Sequence, residues 1–310
     1  MPYLEIPEIS QQKRIDLAER RWEAIQEARP DLAPALDLQR RLLTLVAALA
    51  DVFATGRMPR LSLPPKYLAA KLTRGVPVLA GEPIPVPAAI IKPTLLALCN
   101  ALAAGGAGDA AAHIHEAIDS GNIEIGSLLA ASLTRNQAAI RTGATHRGLA
   151  PDLVWLVAEL AVGPFVHILQ RTLFSAPRDD LRTALDAWSH GHCPACGSWP
   201  ALAEVVGGHR TLRCSFCSSA WEMTTYACIY CAESGEPFVT AAPDEERKDR
   251  RLEVCSACGG YLKTVDMPEL SPFPLLSISD IETTDLDVAA MEHGYQRPPL
   301  KDFTTRPQRP

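Results

Sequence analysis

Four CxxC pairs crowd the segment from Cys193 to Cys258: Cys193-Pro194-Ala195-Cys196, Cys214-Ser215-Phe216-Cys217, Cys228-Ile229-Tyr230-Cys231 and Cys255-Ser256-Ala257-Cys258. They take eight of the nine cysteines in the chain and leave Cys99 alone. Two residues between cysteines let both thiolates meet one metal while backbone N–H groups turn toward the sulfurs and spread their charge. Four sulfurs complete a tetrahedral site, so the knuckles must pair. The first two are separated by 17 residues and the last two by 23, and both gaps suit the ribbon pattern of tetracysteine sites. Sequential pairing is favoured, because a hairpin between knuckles brings its own two together. A crossed arrangement, first with third and second with fourth, obeys the same spacing rule and stays open. Gly197 and Gly259 each follow a second cysteine, where a positive φ is commonly needed. A thioredoxin-like redox pair would call for a nearby βαβ unit, and none is readable. Buried free thiols would not recur at ligand spacing. Zinc and iron both accept tetrahedral thiolates, and residue chemistry alone favours zinc as the commoner structural ion.

Outside this segment the chain reads differently. Residues 1–188 have the pattern of an all-helical domain. Ser10 and Asp31 are expected N-caps, the second opening the run Leu36, Leu38, Leu42, Leu43, Val46, Leu49, with Pro34 in its first turn. Asp109 is expected to cap a short helix that Gly121 ends. Further helices are expected around 123–141, 151–173 and 178–189. The prolines between 60 and 93 permit at most one short helix there. Composition changes at Gly191, and short β-like runs follow (Ala203–Val206, Thr211–Arg213, Ala220–Thr225, Leu252–Val254), with Gly207-Gly208 as a hairpin turn. A last helix is expected from Thr284 to His293. The fold class is therefore multidomain, α plus small β: helical domain 1–188, a first metal module 189–225, and a second metal module 226–310 with a C-terminal helix and tail.

Charge and hydropathy narrow the function. A net charge of -6 gives no basic surface for phosphate neutralisation, so no nucleic-acid partner is expected. Four thiolates around a divalent ion add about two negative charges per site, which Arg210 and Arg213 can partly offset. The longest apolar stretch, Leu153 to Leu169, is interrupted by Glu159 and Gly163-Pro164 and reads as a buried core helix rather than a membrane span. Arg20-Arg21 is followed by residues too polar for an export signal, so a cytoplasmic protein is expected. His113 and His115, two apart on a helix, cannot bind one metal from one face. His190 and His192 flank Cys193, but eight cysteines already saturate two sites. Asp244 to Arg251 reads as a solvated loop, and Trp199, Trp221 and Tyr261 as packing beside the clusters. No nucleophile–base motif, phosphate loop or HExxH occurs, so no enzymatic activity is expected.

The combination HCPACGSWP, RCSFCSSAW, CIYC, VCSACGGYLKTVD and DLDVAAMEHGYQRP resembles the formate dehydrogenase accessory protein (FdhE) family, closely from about Gly191 to Pro298. The resemblance implies a cytoplasmic maturation factor, not an enzyme, that binds the catalytic subunit of formate dehydrogenase. It implies rubredoxin-like modules with two mononuclear iron sites, zinc being able to substitute. All eight cysteines of the family pattern match: Cys193, Cys196, Cys214, Cys217, Cys228, Cys231, Cys255 and Cys258. A rubredoxin-like one-electron protein acting on the dehydrogenase is the alternative, since the same ligands serve both. Homodimerisation is left open by the sequence.

Overall fold

The computed structural model describes residues 3–6, 8–56, 58, 63–175, 177–242, 247–301 and 303. Its helices are α1 (Gln11–Ala28), α2 (Ala33–Ala54), α3 (Pro65–Thr73), α4 (Ala88–Leu102), α5 (Gly108–Asp119), α6 (Ile125–Leu133), α7 (Gln137–His146), α8 (Pro151–Phe174), α9 (Asp179–Asp186), α10 (Leu276–Glu282) and α11 (Thr284–Glu292). Its strands are β1 (Tyr3–Leu4), β2 (Pro200–Val206), β3 (His209–Cys214), β4 (Ala220–Trp221), β5 (Phe238–Ala241), β6 (Arg250–Cys255) and β7 (Gly260–Asp266). This is the expected helical region followed by a small sheet region.

Local signals explain most helix ends. Ser10 Oγ accepts from Lys13 N at 3.2 Å and caps α1. Asp31 does not cap α2: it lies in a 3₁₀ turn and its carboxylate accepts from Arg29 Nε and Nη2 at 3.1 and 2.9 Å. The neighbouring guanidinium outcompetes the backbone for that carboxylate, and Pro34 stands at the start of α2 as expected. Asp109 lies inside the first turn of α5 without capping it. The helix expected over 123–141 is two helices, broken where Arg135 adopts a φ of 60°. Glu124 caps α6 through Gly126 N and Ser127 N, and Asn136 caps α7 through Ala139 N. The proline-rich stretch holds α3, but α4 also begins inside it and carries Pro93 in its second turn. Strands β1, β5 and β7 and helix α10 went unread in the sequence, and β1 corrects the all-helical reading of 1–188, since Tyr3 and Leu4 pair with Trp221 and Ala220 of β4.

Contacts gather the chain into two units. One holds Glu19–Ser62 and Gly81–Leu173. Its core is apolar helix against helix: Phe53 of α2 meets Phe165 of α8 edge-on at 5.4 Å, and Val157, Ala158, Ala161, Val162 and Val166 of α8 are buried. Gly105 is needed because a Cβ there would come within 2.6 Å of the Leu38 side chain. Two stretches, Ala88–Asp119 and Pro151–Phe174, have the length and apolarity of a membrane span. The first is not one straight helix, since Gly106 leaves helical geometry at a φ of 115°, and the second is the buried α8.

The other unit holds Met1–Ala18, Leu63–Ala80 and Phe174–Phe303. Its sheet runs β1-β4-β3-β2-β7-β6-β5. Hairpin β2–β3 turns on Gly207 and Gly208, with φ of 59° and 86°, the pair of positive values that a two-residue turn matching strand twist requires. Strands β5, β6 and β7 make a second antiparallel ribbon. The two ribbons join through a parallel pairing of β2 with β7, Ala203 opposite Thr264 and Val205 opposite Asp266. They are thus one sheet rather than two separate ones. Leu276 of α10 packs on Ala201 and Leu202, and Leu286 and Ala290 of α11 on Leu252, Val254 and Tyr261. The composition-based pieces 1–188, 189–225 and 226–310 are proposals about what folds alone, for limited proteolysis to decide.

Buried charges lock the sheet. The fully buried Arg213 guanidinium bonds the Glu204 carboxylate and donates to Ser271 O at 2.7 Å, while Ser271 N donates to Glu204 at 3.1 Å. Arg210 Nε donates to Glu253 Oε1 at 2.6 Å, to which Thr264 Oγ1 also donates at 3.1 Å. Both arginines are matched by carboxylates: Arg210 reaches from β3 to Glu253 of β6 and ties the two ribbons together, whereas Arg213 pairs with Glu204 inside the first ribbon and also feels the charge of Cys214 and Cys217.

Candidate metal centres

Each knuckle is built by the same backbone device. The carbonyl of its first cysteine accepts from the residue after its second: Gly197 N to Cys193 O at 3.0 Å, Ser218 N to Cys214 O at 3.2 Å, Ala232 N to Cys228 O at 2.9 Å and Gly259 N to Cys255 O at 2.8 Å. Each of these four residues has a positive φ: 83°, 56°, 64° and 70°. The sequence reading identified the requirement only at the two glycines. Ser218 and Ala232 meet it despite a Cβ, at a cost of about 1–2 kcal/mol each. Amides then face sulfur, as where Phe216 N and Cys217 N point to Cys214 Sγ at 3.4 and 3.5 Å.

The structure brings together Cys193, Cys196, Cys214 and Cys217 in one group, and Cys228, Cys231, Cys255 and Cys258 in another; within each, all sulfurs lie within 4.8 Å of one another. The pairing is the sequential one. Sulfur separations are 3.4 Å (Cys196–Cys214), 3.6 Å (Cys193–Cys217), 3.6 Å (Cys228–Cys258) and 3.7 Å (Cys231–Cys255). A tetrahedral ion with bonds of about 2.3 Å to sulfur requires edges of roughly 3.8 Å. Both groups fit such an ion, and each could hold one.

Electrostatics agrees. Burial, reinforced by neighbouring sulfurs, pushes the Cys193 and Cys217 thiols well above their ordinary range, and burial raises Cys228 likewise. Without a cation this cavity disfavours thiolate, and a divalent ion reverses the balance by direct coordination. Burial also acts on Cys255, but amides of Cys258 and Ala257 outweigh it and hold its thiol below the usual value. Cys99, buried on α4 and in neither group, is pushed up to about 11 by burial.

Other candidates fall into supporting places. His190 and His192 stack on each other at 5.1 Å and join neither sulfur group. Burial, then the charge of Lys301, drives His192 down to about 3, so it packs as a neutral ring with one nitrogen 3.2 Å from Gly75 O. His113 and His115 belong to no metal-holding group among the described residues. Trp221 Nε1 donates to His190 O at 3.1 Å, Trp199 meets Tyr230 edge-on at 4.9 Å, and Tyr261 Oη donates to Asp287 at 2.8 Å. They pack beside the clusters as expected. In the loop read over 244–251, residues 244–246 lie outside the described residues.

A role the sequence did not reveal belongs to the segment after α3. Val78 N and Leu79 N donate to Pro194 O and Ala195 O at 2.9 and 3.0 Å, laying main chain over the first knuckle. Lys71, buried on α3, fixes that segment by donating to Val78 O and Ala80 O at 2.9 and 2.6 Å. Gly191 matters as well: a Cβ there would sit 2.0 Å from Ile229 O, so only glycine allows the bend leading into the first group to touch the third knuckle. The Gly191 contact was legible only as a composition break.

Fold and sites together define a class: a helical protein carrying two tetracysteine metal ribbons on one sheet. No family model matches the chain. Among curated proteins it is similar to protein FdhE of Escherichia coli O127:H6, 32% identical over 116 residues, 36% of this chain and 37% of that protein. It is likewise similar to FdhE homologues of Aquifex aeolicus (25% over 135 residues, 42% and 47%) and Haemophilus ducreyi (31% over 115 residues, 36% and 37%). The aligned segment thus spans less than half the length of these relatives. The crystal structure of the FdhE protein from Pseudomonas aeruginosa shares the fold, with a TM-score of 0.59 at 24% identity over 97% of this chain and 98% of that one. These matches support the FdhE family.

Proposed function

We propose that the chain is an accessory factor for formate dehydrogenase maturation, which binds the catalytic subunit in the cytoplasm and turns over no substrate itself. The observation that carries this reading is the closure of both sulfur groups. Each offers four thiolates at tetrahedral spacing, whereas a catalytic ion keeps a position open for water or substrate. A closed ion holds a surface in shape, and a surface held in shape suits recognition of another protein. The FdhE resemblance then names the client. Cys193, Cys196, Cys214 and Cys217 hold one ion and Cys228, Cys231, Cys255 and Cys258 the other; iron is the ion in this reading, with zinc able to take its place.

The test is co-purification of the tagged protein with formate dehydrogenase subunits, alongside formate oxidation in a deletion strain. Retained catalytic subunit and lost formate oxidation are expected. Normal oxidation without the gene, with no subunit retained, would sink the reading. Metal analysis and an absorption spectrum on anaerobically purified protein decide between iron and zinc. One observation favours the second reading, a one-electron protein acting on the dehydrogenase: Cys231 and Cys258 are exposed, which brings an ion there close to a redox partner. A reversible ferric/ferrous transition at a potential matched to a physiological donor would support it.

A further inference from the structure

The two sulfur groups share ligand spacing and geometry but not surroundings. Around the first, all four cysteines are buried, at 3% exposure or less. The hydroxyls of Ser198 and Ser219 lie 3.4 and 3.2 Å from the sulfurs of Cys196 and Cys217, and the Val78–Leu79 backbone covers the first knuckle. Trp221 lies fully buried in the strand just after the second knuckle. In the second group Cys228 and Cys255 are buried at 3% and 0% exposure, whereas Cys231 and Cys258 are exposed. The two exposed residues are the second cysteines of the two knuckles that form this group. An ion held there has a wall of protein on one side and two sulfurs in water on the other.

We infer that the second group is the exchange site of the pair: metal enters and leaves through the Cys231–Cys258 face, while the ion of the first group stays until the unit itself opens. Exchange at a tetrathiolate ion is associative. An incoming ligand binds the metal as one metal–sulfur bond breaks, the freed thiolate takes a proton from water, and the oxidation state of the ion does not change. That sequence needs a sulfur able to swing into solvent and a path for the new ligand, and only the second group offers both. The shell around a metal site controls solvent access and with it exchange. This division does not depend on which protein the chain serves.

The experiment uses the full chain loaded with two zinc ions, challenged with EDTA and iodoacetamide together. Metal remaining after rapid desalting is measured by mass spectrometry, and alkylated cysteines are located by peptide mapping. In the alkylation a sulfur–carbon bond forms, the carbon–iodine bond breaks and iodide leaves. The expected result is two phases at rates differing by roughly tenfold or more. One ion is lost in the fast phase with Cys231 and Cys258 modified first, and the other in the slow phase with Cys193, Cys196, Cys214 and Cys217. The double variant Cys231→Ser, Cys258→Ser should bind one ion and release it at the slow rate. Simultaneous release of both ions, or first modification within the first group, overturns the proposal. Uptake of fewer than two ions by the unaltered chain overturns it too and removes the ligand assignments as well. Failure of co-purification with formate dehydrogenase touches neither.

Discussion

The two ribbons of the sheet unit carry the same ligand pattern and differ in how the rest of the unit treats them. The first ribbon is enclosed: its sulfurs have no solvent-facing side, and a segment from more than a hundred residues earlier crosses its first knuckle. The second is finished on one side only, with two of its four sulfurs exposed. Identical local chemistry therefore sits in two dielectric settings. Spacing determines that a site forms, and packing around it determines how tightly the site is held.

The strongest way to break this comparison is to remove one buried ligand. Cys196→Ser should cost the first group its ion, and structural tetrathiolate ions supply about 10–16 kcal/mol of folding free energy at neutral pH. Protease cleavage between 190 and 225 should become rapid. Because β2 pairs with β7, the loss should spread into the second ribbon, while the Phe53–Phe165 helical core keeps its circular dichroism. Unchanged resistance over 190–225 would refute the dependence.

Next in size is the charge lock. Arg213→Met leaves Glu204 buried without its partner and should lower stability by about 3–5 kcal/mol. Adding Glu204→Leu should recover most of that loss. A denaturant titration of both variants reads it, and equal destabilisation in the single and double variants would mean that the lock acts through packing alone.

A smaller effect separates the knuckles themselves. Gly197→Ala should destabilise more than Gly259→Ala. Both residues have a positive φ, but a Cβ at 197 would meet Phe303 at 2.6 Å whereas nothing lies within 4 Å at 259. The second variant should cost about 1–2 kcal/mol, the left-handed penalty alone. Thermal unfolding of the zinc-loaded proteins ranks them. Smallest of all, Ala232→Gly relieves the same penalty in the third knuckle and should stabilise by up to about 1 kcal/mol, part of the gain being returned to the freer unfolded chain. A loss of stability there would show that Ala232 packs against something its φ does not reveal.

Much of this was legible because it is local. Two-residue spacing, the glycines after second cysteines and the Gly207-Gly208 turn are all decided within a few bonds, and α8 follows from a run of apolar residues long enough to need a core. The misses have a common cause. Asp31 has good capping chemistry, but Arg29 takes its carboxylate. Between 123 and 141 the break is marked only by Asn136, an N-cap residue type, because the left-handed residue before it is an arginine rather than a glycine. Strand β7 escaped notice because Lys263 and Thr264 are buried in it beside Tyr261, Leu262 and Val265, so its burial does not follow an apolar pattern.

The sequence by itself determined the eight cysteines that gather into two groups, the hairpin that joins the first two knuckles and the division between helical and ribbon character, because each rests on bonds, φ angles or periodicity within one segment. Only the tertiary structure decided that β2 and β7 pair in parallel, that Arg210 and Arg213 serve carboxylates, and that one sulfur group is buried while the other has two sulfurs exposed to water. Those outcomes depend on which distant segments share a surface, and the free energy of burial that selects them is summed over the whole unit rather than written at any one residue.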